Sequence, residues 1–251
     1  MLRATPYAIP DATPIAVTEA GDNVYLDEFS SRDESLVPSP SGAEWFPFTK
    51  NRFSIFIAGV PNAGKSYFTA QLLKLFPESY EVILFTDLEE NDANFKDIKQ
   101  KVWKIKMKPE ILKKINMDVI RARVKNPICV FDDIDKMSSP TISKLTKDLL
   151  HSILLKGRGH DHSADIHCIV TYHALNGGLE TKTLIENCEY LCLFPLSTLF
   201  RQMEYFLSKV GLKTKEIHDL VDFCKKRGIR KIIIKKTAPL YIITQNFIKL
   251  I

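Results

Sequence analysis

The segment Gly59-Val-Pro-Asn-Ala-Gly-Lys-Ser66 follows the apolar run Phe53-Ser-Ile-Phe-Ile57 and leads into Tyr67-Phe-Thr-Ala-Gln-Leu-Leu-Lys-Leu-Phe76. No other stretch restricts the fold as tightly. A G-x-x-x-x-G-K-[ST] string cradles an anion only where a strand enters it and a helix leaves it, because loop N–H groups and a helix N-terminus must converge on one phosphate. Both flanks suit this: the first is β-branched and aromatic, and the second carries Phe68, Leu72, Leu73 and Phe76 at helical spacing before Pro77 stops it. Gly59 and Gly64 permit the tight path, and Val60, Pro61, Asn62 and Ala63 supply the rest of the loop backbone. Lys65 is placed for the β- and γ-phosphates, Ser66 offers a hydroxyl to Mg²⁺, and Tyr67 completes the expected nucleotide-binding set. ATP with Mg²⁺ is the expected ligand.

A hydrolytic site of this kind also needs a carboxylate opposite the loop. Pro127-Ile-Cys-Val-Phe-Asp-Asp-Ile-Asp135 reads as a buried strand ending in acids. Asp132 is the expected metal-side residue together with Ser66, and Asp133 the residue that orients water. Glu81-Val-Ile-Leu-Phe-Thr86 is the one strand expected between the two motifs, followed by an acidic loop and a Lys-rich region with helical stretches around 109–124. Ile166-His-Cys-Ile-Val-Thr171 forms the next strand. In a RecA-like sheet it lies between the loop strand and the acidic strand, so Thr171 or His173 is a candidate sensor of the γ-phosphate. Asn187 to Phe194 supplies a fifth strand. Beyond it come helices near 198–210 and 215–227, then a hairpin of 229–236 with 240–245 turned at Thr237-Ala-Pro239.

Arg158 stands between Gly157 and Gly159, a poor setting for packing and a good one for projection from a short loop. An arginine that reaches a neighbouring subunit's γ-phosphate stabilises transition-state charge, and such a role requires a ring or dimer. The nearby His160, Asp161, His162 and His167 do not match a zinc spacing.

Five cysteines, Cys129, Cys168, Cys188, Cys192 and Cys224, form no paired metal spacing and suit a reduced core. No apolar run approaches the roughly 20 residues that span a bilayer, and the N-terminus lacks a signal-like apolar stretch, so a soluble, non-secreted protein is expected. Charge is segregated: residues 1–50 hold three Lys/Arg against eight Asp/Glu, whereas 201–251 hold twelve basic against four acidic residues, concentrated in Lys225-Lys-Arg-Gly-Ile-Arg-Lys-Ile-Ile-Ile-Lys-Lys236. A basic segment beside an ATPase core fits a polyanion. The proline-dotted residues 1–48 show no sustained periodicity and read as an extended acidic arm.

With GVPNAGKS, CVFDDID, the Gly157-Arg158 loop and HCIVTYH in this order over residues 52–220, the chain resembles the poxvirus-type genome-packaging ATPases of large DNA viruses and virophages. These are FtsK/HerA-like P-loop ATPases. The resemblance implies an α/β, RecA-like P-loop core with a mostly parallel central sheet, at 49–197; the arm at 1–48 and the basic hairpin lie outside the shared core, and the sequence pattern itself makes 198–251 a basic helix and hairpin appendage. It implies a homo-oligomeric ring that threads double-stranded DNA into a preformed capsid, partnered by capsid or portal-vertex proteins, in the host cytoplasm or the virion. The arginine acting in trans would be Arg158. Many relatives have Gln at the end of the sensor strand, where this chain has Thr171 before Tyr172 and His173. A helicase or a non-catalytic capsid-assembly P-loop protein is the alternative reading. A kinase would need a lid arginine cluster, and a GTPase an N-K-x-D motif; neither occurs.

Overall fold

Strands buried on both faces need an apolar residue at nearly every position, and the central strands here have that character. The computed structural model describes residues 2–5, 16–17, 23–28, 37–38, 44–45, 52–87, 93–137, 139–157, 165–173, 179–236, 241–244 and 247–250. Contacts divide the chain into two compact units, Pro47–Glu189 and a second made of Met1–Phe46 with Tyr190–Ile251.

In the second unit the N-terminal segment contributes short strands β1 (Leu2–Thr5), β2 (Ala16–Val17), β3 (Asn23–Glu28), β4 (Val37–Pro38) and β5 (Glu44–Trp45). Strand β3 pairs antiparallel with β1 and β2, and β2 with β5.

The unit Pro47–Glu189 runs β6 (Ser54–Ala58), α1 (Lys65–Lys74), β7 (Glu81–Phe85), β8 (Lys101–Ile105), α2 (Pro109–Leu112), α3 (Met117–Arg123), β9 (Pro127–Phe131), α4 (Pro140–Lys156), β10 (His167–Tyr172) and α5 (Leu179–Asn187). Its strands lie in the order β6-β10-β9-β7-β8, all parallel. Every residue of β6, β9 and β10 is buried. The fold is α/β and RecA-like, with β10 between the phosphate-loop strand and the acidic strand as expected.

Two strands, not one, separate the motifs. The extra one, β8, reads Lys-Val-Trp-Lys-Ile and sits at the sheet edge, where its first three residues are exposed. Lysines on an edge strand deter pairing with other chains, and they also mask its apolar pattern. Helix α4 adds a further element to those expected: the Ser139 hydroxyl accepts from the Ile142 N–H at 3.5 Å, Pro140 opens the first turn, and Thr146, Leu149, Leu150, Ile153 and Leu154 are buried along one stripe.

The remaining elements are β11 (Tyr190–Leu193), α6 (Phe200–Lys209), α7 (Thr214–Lys226), β12 (Ile232–Lys235), β13 (Tyr241–Ile243) and β14 (Phe247–Leu250). Strand β11 is shorter than the expected 187–194 because Asn187 ends α5, its Nδ2 donating to the Thr183 carbonyl at 2.8 Å. Strands β11, β12, β13, β14 and β4 pair antiparallel in that order. The β12–β13 hairpin matches the expected one, while its turn at 237–239 lies outside the described residues. All five cysteines are buried free thiols, and burial pushes Cys192 and Cys224 up to about 12. Among the described residues no helix is long and apolar enough to cross a membrane.

His167 opens β10 in the core, ringed by Phe76 and Tyr80, and its Nδ1 accepts the Phe53 N–H at 3.1 Å. Burial pushes its pKa down to about 4; Asp165 opposes that shift and Arg52 adds to it. Because the unfolded chain binds this proton near pH 6.5 and the folded chain near 4, stability should fall as pH drops through that window, by about 3 kcal/mol. Denaturant titrations between pH 7 and 4 should show a shallower acid loss in His167→Asn, which keeps an acceptor for Phe53. Equal pH slopes in the two proteins would refute this.

Candidate nucleotide site

The phosphate loop takes the path that its glycines allow. Gly64 lies at φ 99°, in the left-handed region, so a side chain there would be strained, and Asn62 at φ 63° is a residue type that tolerates it. The Gly59 N–H donates to the Tyr172 carbonyl at 3.2 Å, fastening the loop entrance to the end of β10. Lys65 begins α1, where the N–H groups of a first turn are unsatisfied. Its side chain is only 5% exposed. The Nζ donates to the carbonyls of Gly59 at 3.1 Å and Val60 at 3.4 Å, and lies 3.7 Å from Asp133 Oδ1. Burial lowers the ammonium's pKa, and the charges of Asp133, Asp135 and Asp132 oppose that shift. Ser66 is half-buried and Tyr67 is exposed.

Across the sheet the acidic strand ends in a tight turn. Asp132 is buried; its N–H donates to the Phe85 carbonyl at 2.9 Å. The hydroxyls of Thr86, at 3.5 Å, and Thr171, at 3.0 Å, approach opposite oxygens of its carboxylate. Asp133 adopts φ 48° and ψ 39°, a left-handed conformation that Asp tolerates better than most residues. Its N–H donates to Thr171 Oγ1 at 2.8 Å, and its Oδ1 lies 3.1 Å from the same hydroxyl. One hydroxyl proton cannot serve Asp132 and Asp133 together, so Thr171 satisfies one carboxylate at a time.

His173 completes the cluster. Its Nε2 lies 3.3 Å from Asp133 Oδ2, and its backbone N–H is shared between the two Asp135 oxygens at 3.1 and 3.2 Å. Ligand atoms of Asp133, Asp135 and His173 lie within 4.8 Å of one another.

Lys65, Asp132, Asp133, Thr171 and His173 therefore converge at the C-terminal ends of β6, β9 and β10, joined by hydrogen bonds and ion pairs. Ser66 and Asp132 offer hydroxyl and carboxylate oxygens, a donor set suited to a hard cation such as Mg²⁺. Arg158, His160, Asp161 and His162 lie outside the described residues. Two residues escaped the sequence reading. Thr86 directly follows β7, the strand beside the acidic one, a position that could have marked it; Asp135 closes the DDID string that begins with Asp132 and Asp133.

No family model matches the chain. Over 234 residues it is 28% identical to uncharacterized protein V3 of Sputnik virophage, covering 90% of this chain and 89% of that one. Among solved structures, it overlaps the pCW3 conjugation coupling protein TcpA in its ATPγS form at 12% identity and a TM-score of 0.49, covering 94% of this chain and 77% of that one. The cytoplasmic domain of the Thermomonospora curvata type VII secretion ATPase EccC gives 11% identity and a TM-score of 0.47, covering 95% of this chain and 26% of that one.

Proposed function

We propose that the chain is a P-loop ATPase that drives double-stranded DNA, and that its task is packaging a viral genome into a preformed capsid. The observation that carries the ATPase reading is the 3.7 Å approach of Lys65 Nζ to Asp133, with the Thr171 hydroxyl 3.0 and 3.1 Å from the two acids. The packaging role draws support from the motif order and from the virophage relative. Capsid or portal-vertex proteins and further copies of the chain in a ring are the partners that this role requires.

In the proposed reaction the backbone N–H groups of Asn62, Gly64, Lys65 and Ser66, where the loop runs into the α1 N-terminus, bind the ATP phosphates. Lys65 exchanges its loop carbonyls for β- and γ-phosphate oxygens, which releases Asp133 to orient the attacking water. Thr171 and His173 hold Asp133 from the other side and so couple its position to the state of β10. Ser66 and Asp132 would hold Mg²⁺, which supplies charge neutralisation for the transferred phosphoryl group.

DNA is assigned first to the basic C-terminal segment. Lys225, Lys226, Arg227 and Arg230 are exposed, whereas Lys231 is half-buried and burial lowers its pKa, which makes it a poorer phosphate contact. Backbone contacts release counterions, so four of them should give a slope of log K against log salt near −3.6, from roughly 0.9 per phosphate. Reversing these four residues to Glu should flatten the slope and abolish DNA stimulation while basal hydrolysis persists. Unaltered stimulation in that variant would move the DNA path elsewhere, and hydrolysis indifferent to duplex DNA in the parent would count against the motor.

A further inference from the structure

A second concentration of positive charge lies in the unit Pro47–Glu189, away in sequence from the C-terminal segment. Residues 96–114 hold eight lysines against Asp97 and Glu110. They span the turn before β8, the strand itself, α2 and the residues just after it. All of these lysines are exposed except Lys104, which is half-buried.

Within the described residues β8 pairs only with β7, so its outer edge is the end of the parallel sheet. Trp103 is 42% exposed there, with the Lys101 ammonium 3.8 Å from its ring centroid and its indole N–H donating to Glu81 at 2.8 Å. Val102 is also exposed.

Protection of an edge strand accounts for lysines on the strand itself. It does not account for Lys96, Lys106, Lys108, Lys113 and Lys114, which flank the strand and add charge where no open edge needs guarding. Nor are they an amphipathic helix's polar face, since α2 covers only Pro109–Leu112. A local excess of this size on an exposed margin attracts a polyanion, and flexible ammonium groups contact backbone phosphate without reading bases. The Trp103 ring is engaged by Lys101 and Glu81, which favours backbone contact with a duplex over stacking on unpaired bases.

We infer that the Lys-rich margin around β8 is a second contact surface for the phosphate backbone of duplex DNA, distinct from the C-terminal basic segment. The inference rests on the reading of the chain as a motor acting on duplex DNA.

The test uses the full chain and a fluorescently labelled 30-base-pair duplex of arbitrary sequence, with binding followed by anisotropy across a salt series and basal ATP hydrolysis followed separately. Exposed lysines are replaced in Lys101→Gln/Lys106→Gln/Lys108→Gln/Lys113→Gln, and circular dichroism and a thermal melt check that the variant is folded. Neutral Gln keeps the chain length and avoids the repulsion of a full charge reversal. Binding should weaken at least tenfold near physiological salt, with a slope shallower by up to roughly 3.6 if all four residues reach phosphate. Basal hydrolysis should stay at the parent level, since none of the four belongs to the nucleotide site. A single replacement, Lys106→Gln, should shift the slope by roughly 0.9 and serves if the quadruple variant fails to fold. Parent-like affinity and slope in the folded variant, with binding lost only in the C-terminal variant, would overturn this inference and leave the motor reading standing. A parent that hydrolyses ATP but binds no duplex would overturn both.

Discussion

Replacing Lys65 with Ala should reduce Mg²⁺-dependent ATP hydrolysis by a factor of at least 10² to 10³, the order expected when one group that stabilises transition-state charge is removed. The reason lies in the side chain's setting. Its ammonium is buried beside the loop carbonyls and 3.7 Å from Asp133, at the start of the helix that leaves the loop. The substitution also removes the lysine charge beside Asp133 and leaves His173 as its neighbour. Asp132→Asn should cause a loss of similar size while keeping the fold, because an amide of the same shape still accepts from one of the two hydroxyls, Thr86 or Thr171, and can donate its NH2 to the oxygen of the other. Asp133→Asn should separate the steps, with binding of a fluorescent ATP analogue retained and hydrolysis lowered. Turnover at the parent level in Lys65→Ala or Asp132→Asn would remove the site assignment, and loss of nucleotide binding in Asp133→Asn would exchange the roles of the two acids.

An effect of comparable size is expected at Arg158. If it acts as an arginine finger, Arg158→Ala should lower turnover by ~10³ or more with little change in ATP affinity, since such a residue acts on the transition state. A mixing experiment distinguishes action across a subunit boundary. Lys65→Ala protein should hydrolyse ATP poorly but still carries Arg158, so adding it to Arg158→Ala protein should restore activity at mixed interfaces. With mixed assembly verified by a tagged pull-down, absence of recovery at every ratio would exclude a role in trans.

The phosphate loop and acidic strand were legible because each is local: contiguous residues bear both the chemistry and the flanking pattern. The placement of β10 between β6 and β9 is the one a RecA-like sheet has, and the order of strands along the chain suits that sheet. Strand β8 was not, because its lysines break the apolar run, and its pairing with β7 comes from sheet geometry rather than from its own composition. Helix α4 is a different case: its cap and its apolar spacing are local and could have been read.

By itself, then, the sequence determined the strand, glycine loop and helix around GVPNAGKS, the acidic strand end, the α/β class and the segregation of charge, all of which depend on neighbours along the chain. The tertiary structure alone decided how the acids are held. Thr171 reaches Asp132 or Asp133 across 39 and 38 positions, Asp135 binds the His173 N–H across 38, and Thr86 meets Asp132 across 46. Such contacts depend on strand register, which aligns Val170 with Phe131 and Phe85 with Phe131, and so brings the residues just beyond those strand ends to one edge of the sheet. Register is fixed by which faces are buried once the strands pack together, and no single stretch of the chain contains that information.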